Sequence, residues 1–349
     1  MTAIPESKQT NRQFSKNRIL QYLVFLLVFG LTVHILLPSL ATLESSLHVL
    51  QTMPIWLVCL AIIAEIGSYM GSGYLLKALM NLGKSRFTVF RGALITLASA
   101  SLGLIGGWVT GMATTYYWVS KNEEPSDASK LTGFLPIFLN NVILLVLAEI
   151  SLLYLLVIRQ ITDFQRFLAG VILVVLVIGT IVIFLAFQHR ERIKHLFVQI
   201  VEFFLRLIKR SAQFETINDA MDDLFNGLLL LQKRGWVKPV SGSCLMVGFD
   251  MLALYFCFVA AGHPVNPILL ITGYSMALLL RNVAFFIPGG VGVVESIMVK
   301  MYTGLGVAMD VSVVATLSYR LISFWIPIIL GFAANVYLGR YTTKLNQNK

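Results

Sequence analysis

Arg281, the run Pro288-Gly289-Gly290-Val291-Gly292-Val293-Val294-Glu295 and, further on, Arg320 put charge and breakable backbone inside otherwise oily stretches. These residue types suit the capture of an anion. An Arg fork donates two parallel hydrogen bonds to a phosphate. A helix restarting near Gly290 would offer free N–H groups and the positive end of its dipole. Glycines let backbone come close. Glu295 can orient the arginines or hold a cationic headgroup, and Asp250, deep in another apolar run, is a further candidate. A structural ion pair among Arg281, Glu295 and Arg320 is the competing reading, and the two are compatible, because a phosphate can compete for the arginines.

Other chemistries find less support. The Gly-rich turn has no Lys-Ser/Thr after it and no βαβ context, so it is not a nucleotide loop. Cys59, Cys244 and Cys257 lie in apolar runs without metal spacing and are read as packing residues; the histidines are scattered. No metal and no cofactor are expected. Glu123-Glu124 is the obvious acidic pair, and its Pro- and Ser-containing surroundings read as a solvated loop. Glu65 precedes the small-residue run Gly67, Ser68, Gly71, Ser72, Gly73, which predicts close helix packing. Glu149 shares an apolar run with Asn140 and Asn141, which suit interhelical hydrogen bonds. Trp108, Tyr116, Tyr117 and Trp118 read as interfacial aromatics.

The elements that position these groups must be membrane helices. Of 349 residues, 57% are hydrophobic and 13% charged, against roughly 25% charged in a soluble domain. Several apolar runs reach the ~20 residues that cross a hydrocarbon core. A β-barrel would alternate apolar and polar positions instead. The net charge of +10 comes from basic residues clustered at the ends of apolar runs. The positive-inside rule accounts for that pattern, and nucleic acid is not an expected partner. The polar N-terminus runs into an apolar segment without a small-residue cleavage site, so it reads as a cytoplasmic tail before a first span.

Full spans are predicted at Ile19–Leu37, Ile55–Leu76, Leu131–Ile158, Phe167–Phe187, Val240–Ala261 and Val311–Leu338. Phe90–Val119 is interrupted around Ser101–Gly107, and Pro267–Leu305 at Pro288-Gly289-Gly290. Basic residues put the N-terminal tail, the loop after Leu76, the segment His189–Lys238 and the C-terminal tail on the inner side. That arrangement holds only if both interrupted stretches dip in and return on the side they entered. The expected fold is an all-α polytopic membrane protein with about six full spans plus two re-entrant broken-helix hairpins of opposite opening. An inverted repeat would produce such a pair, and the shift that lays Gly106-Gly107 on Gly289-Gly290 also lays Asp127 on Asp310. The expected divisions are a tail at 1–18, a first transmembrane half at 19–187, amphipathic interfacial helices at 188–238, a second half at 239–340 and a tail at 341–349. The helices at 188–238 lie on anionic lipid or pack on the spans as a linker.

Pro288-Gly289-Gly290-Val291-Gly292-x-x-Glu295, then Tyr319-Arg320, then Pro327-x-x-x-Gly331 resemble the lysylphosphatidylglycerol synthase transmembrane region family. This is the flippase-like domain at the N-terminus of the bacterial multiple peptide resistance factor, and the resemblance covers almost the whole chain. It implies a protein of the bacterial (or archaeal) inner membrane, both termini cytoplasmic, that moves phospholipid or polyprenyl-phosphate lipid between leaflets. It implies no catalysis: full-length resistance factors continue into an aminoacyl-transfer domain, and this sequence stops at Lys349. The first-half break, Gly106-Gly107-Trp108-Val109-Thr110-Gly111, lacks the carboxylate and Arg that some relatives carry. The expected partners are membrane lipids with an anionic or lipid-phosphate headgroup and a separate lipid-modifying enzyme; the oligomeric state stays open. Two other classes compete: a membrane transferase for lipid-linked substrates, dependent on Glu123, and a scaffold that holds a synthase through His189–Lys238.

Overall fold

A computed structural model of the chain describes residues 51–81, 87–122, 127–158, 163–188, 229, 231–232, 235–283 and 290–347. The expected N-terminal tail and first span, nearly all of the 188–238 segment, Glu123-Glu124, Pro288 and Gly289 lie outside the described residues. Every described element is helical: α1 (Ile55–Met80), α2 (Val89–Asn122), α3 (Asp127–Ile158), α4 (Asp163–Gln188), α5 (Val237–Ala260), α6 (Pro267–Val283), α7 (Val293–Gly304), α8 (Met309–Arg320), a π-helical turn (Leu321–Trp325) and α9 (Ile326–Gln347). α9 thus continues past the expected boundary at 340.

Ile55–Met80, Ser129–Val157, Val237–Ala260 and Met309–Arg340 are long and apolar enough to cross a membrane. They carry many large exposed apolar side chains, among them Ile63, Ile150 and Ile329, as a lipid-facing surface requires. The predicted span at 167–187 falls within α4.

α2 is a hairpin. Helical backbone stops at Gly107, with φ 79° and ψ −176°, a conformation that strains any residue bearing a Cβ. The limbs then fold against each other. Thr115 Oγ1 donates to Ser99 Oγ at 2.8 Å, and Gly103 faces Gly111 closely. The second interrupted stretch does the same. Tyr302 of α7 donates its hydroxyl to the Leu270 carbonyl of α6 at 3.0 Å, and its ring lies against Gly273. Both interrupted stretches are therefore turned back on themselves, as predicted.

α1 and α5 form the central seam. Gly71 meets the Met246 backbone, Gly242 meets Leu75, and Gly67 meets the Phe249 ring. Contacts that ascend α1 descend α5, so the two helices are antiparallel. Small residues allow this approach, and the packing gained is the main force joining helices in lipid. The shift that overlays Gly107 on Gly290 also overlays α1 on α5, hairpin on hairpin, and α3 on α8 with α9. Equivalent helices running antiparallel are the signature of an inverted repeat. The repeats interlock: hairpin α2 packs on α9, and hairpin α6–α7 on α3 and α5.

One aromatic expectation needs correction. Tyr116 and Tyr117 are exposed, but Trp118 is buried and donates its indole N–H to Asn335 Oδ1 at 2.9 Å. Asn335 Nδ2 in turn lies 2.9 Å from the Ala98 carbonyl and 3.0 Å from Ser101 Oγ. Asn335 therefore ties both limbs of α2 to α9. Asn335→Leu is expected to cost about 1–3 kcal/mol, since it removes these partners from buried groups. A lowered thermal midpoint in detergent checks this; an unchanged midpoint contradicts it. Of the cysteines, only Cys257 is buried, while Cys59 and Cys244 are exposed.

Candidate functional site

The second hairpin carries the polar centre. Gly290 and Gly292 take positive φ, 63° and 82°, and α7 starts at Val293. The Gly292 N–H donates to Glu295 Oε2 at 2.7 Å, so the carboxylate caps the helix it belongs to. Its other oxygen, Oε1, accepts from Arg320 Nε at 2.6 Å. Both residues are deeply buried, Glu295 at 5% and Arg320 at 3% exposure. The guanidinium also lies over the Phe324 ring, 4.0 Å from its centroid. Phe324 is placed by the π turn. Pro327, just beyond, lacks an N–H and its ring crowds the carbonyl four residues back, at Ser323; widening the turn relieves that conflict.

Arg281, at the end of α6, lies near this pair but outside it. Its aliphatic stem crosses Gly290, where a Cβ would sit 2.5 Å from Arg281 Cγ. Among the described residues it has no ion-pair partner, and it is half-buried. Arg320, Tyr319, Tyr274 and Asp250 are within its electrostatic reach. The expected three-way ion pair is thus a two-way pair with a second guanidinium beside it. The expected anion site at the α7 N-terminus is filled by Glu295 itself.

Asp250, at mid-length of α5, is the other polar focus. Its Oδ2 accepts the Tyr274 hydroxyl at 2.7 Å and its Oδ1 the Tyr319 hydroxyl at 2.9 Å. The two rings meet edge to face, with centroids 6.5 Å apart. On the remaining side stands Glu65 of α1, with its carboxyl within hydrogen-bonding range of Asp250. The structure therefore gathers Arg281, Gly290, Gly292, Glu295, Arg320 and Asp250 around one hairpin. It adds Tyr274, Tyr319 and Glu65. The tyrosines were legible in principle, because a carboxylate sunk in a span needs donors from facing helices. Glu65, expected to serve helix packing, sits on the packed seam and points a carboxyl across it.

The other polar expectations resolve simply. Asn140 Oδ1 accepts a hydrogen bond from Ser243, and Asn141 Oδ1 accepts from Asn282 at 2.7 Å. Glu149 Oε1 accepts from Thr180 of α4 at 2.5 Å. These are links between helices.

The family model described as the lysylphosphatidylglycerol synthase TM region matches residues 19–331. The chain belongs to this family. Among similar proteins, a UPF0104 membrane protein of Methanothermobacter thermautotrophicus is 28% identical over 186 residues, 51% of this chain and 54% of that one. A UPF0104 membrane protein of Pyrococcus horikoshii is 34% identical over 105 residues, 30% of each chain. The chain thus spans about half the length of the first relative and less of the second. Within this lysylphosphatidylglycerol synthase TM region chain, the matched segment contains both hairpins, the Glu295–Arg320 pair and Asp250.

Proposed function

We propose that the protein moves a lipid with an anionic or phosphate headgroup between leaflets. The headgroup enters the polar centre at the second hairpin while the tails stay in the bilayer. Arg281 carries this reading: it is a half-buried guanidinium without an ion-pair partner among the described residues, held open over Gly290 at membrane depth. An ionisable group in such a place is costly unless it serves a ligand or a pathway. Arg320, neutralised by Glu295, supports the wall of the site, and Gly290 and Gly292 keep its backbone thin. Pro288 and Gly289, outside the described residues, are assigned to the same site in this proposal.

Family membership supports a role connected with membrane lipids. The proposal places the protein in the cell membrane with both termini cytoplasmic, acting beside a separate lipid-modifying enzyme. Purified protein in vesicles is expected to accelerate leaflet exchange of a labelled anionic lipid. Arg281→Ala is expected to slow that exchange about tenfold or more, since hydrogen bonds to a charged group contribute ~1.5–3 kcal/mol. Equal exchange with and without protein, across several lipid classes, would sink the proposal.

A further inference from the structure

We propose that Glu65 and Asp250 together bind one proton, and that this proton controls how freely Arg281 accepts an anion. The carboxyls meet across the α1–α5 seam, within hydrogen-bonding range. Glu65 is only 6% exposed. Its Oε2 is fully buried and, among the described residues, finds no hydrogen-bond partner. A buried carboxylate oxygen without a donor is costly, and two ionised carboxylates in contact repel. One shared proton removes both costs, turning two facing acceptors into an O–H···O bond.

The surroundings say which carboxyl keeps its charge and which ligand fits. Both Asp250 oxygens already accept tyrosine hydroxyls, from Tyr274 and Tyr319. Asp250 is therefore the acceptor, and Glu65 holds the proton. The same hydroxyls point their hydrogens at the pair, which disfavours a metal cation and leaves the proton as the ligand. The facing titratable and charged groups are Tyr69 on α1, Cys257 on α5, Tyr274 and Arg281 on α6, and Tyr319 on α8, with Arg320 one residue on. Glu295 of α7 is held by Arg320. α3 sets the uncharged Asn140 against α5. Among the described residues, Arg281 is thus the cation without an ion pair that feels Asp250. When the pair loses its proton, the added negative charge draws on Arg281 and competes with an anionic ligand. When the proton binds, Arg281 is released to the ligand. Proton and anion then bind cooperatively, by reciprocal linkage.

The proton site stands on its own geometry; its link to lipid movement rests on the function proposed above. Two measurements on the full-length protein separate them. Infrared titration in detergent is expected to show the carbonyl band of a protonated buried carboxyl, insensitive to sodium, which Glu65→Gln and Asp250→Asn each remove or shift. In vesicles of phosphatidylglycerol and phosphatidylcholine, exchange of labelled phosphatidylglycerol should respond about fivefold or more to an imposed pH difference, the lower end of ordinary coupling. Glu65→Gln, which mimics the protonated partner, should lose that response. No such band in the wild-type protein at any pH, or a band abolished by sodium, overturns the proton site. A band present together with a pH response unchanged in Glu65→Gln overturns the coupling. A band present with no lipid exchange at all keeps the site and removes the transport reading.

Discussion

Arg320→Met is expected to destabilise the protein by about 3–5 kcal/mol, because it strands the Glu295 carboxylate in a water-poor interior. Glu295 is 5% exposed and its Oε1 faces the missing guanidinium. Glu295→Gln should also destabilise, by removing the negative charge that faces the buried Arg320 guanidinium, although the amide oxygen can still accept the Gly292 N–H. The double variant, Glu295→Gln with Arg320→Met, should recover much of the loss, since a neutral pair of similar volume leaves no charge uncompensated. Thermal midpoints of the three variants in one detergent measure this. Additive losses would show that the residues act separately. Arg281→Ala should leave the midpoint almost unchanged, because its guanidinium has no ion-pair partner among the described residues. That contrast separates the structural arginine from the one assigned to a ligand.

Gly73→Val is expected to prevent recovery of a folded, monodisperse protein. A Cβ at Gly73 would sit 2.1 Å from the Val89 carbonyl oxygen and 2.7 Å from the Ala93 nitrogen. The facing position is equally tight, with a Gly92 Cβ 2.6 Å from the Gly73 carbonyl. Ordinary overpacking costs ~1–3 kcal/mol because side chains can yield. Here backbone meets backbone, so α1 and hairpin α2 would have to part. Gly248→Ala is the matched control: nothing lies within 4 Å of a Cβ there. It should be neutral or stabilising by up to ~1 kcal/mol, the helix-propensity difference between the two residues. Size-exclusion profiles and thermal midpoints of both variants decide the matter, and a well-behaved Gly73→Val would contradict the close-packed contact between α1 and α2.

Helix order, the positions of the described spans and both chain reversals were legible in the amino-acid sequence. Lipid demands ~20 apolar residues per crossing and lets backbone break only where protein or water receives it. Gly107 and the Gly290–Gly292 turn announce themselves for that reason. The shift relating Gly107 to Gly290 was also visible, because a repeat leaves its spacing behind even when side chains diverge. Arg281, Glu295, Arg320 and Asp250 stood out as charges in oil.

Which charge meets which was decided only by the tertiary structure. Arg281 and Arg320 are chemically alike and both near the hairpin, yet only Arg320 reaches Glu295. The choice depends on the π turn and on how far α8 advances past α7, distances that no spacing along the chain encodes. Glu65 and Asp250 are separated by most of the chain between them. They meet because glycines and serines let α1 and α5 close to backbone contact, in one register and running antiparallel. Local periodicity fixes the face of a helix, but pairing across a seam is set by the sum of many small contacts along both helices. For that reason the oily spans and their breaks belong to the sequence, and the carboxyl pair with its two tyrosines belongs to the fold.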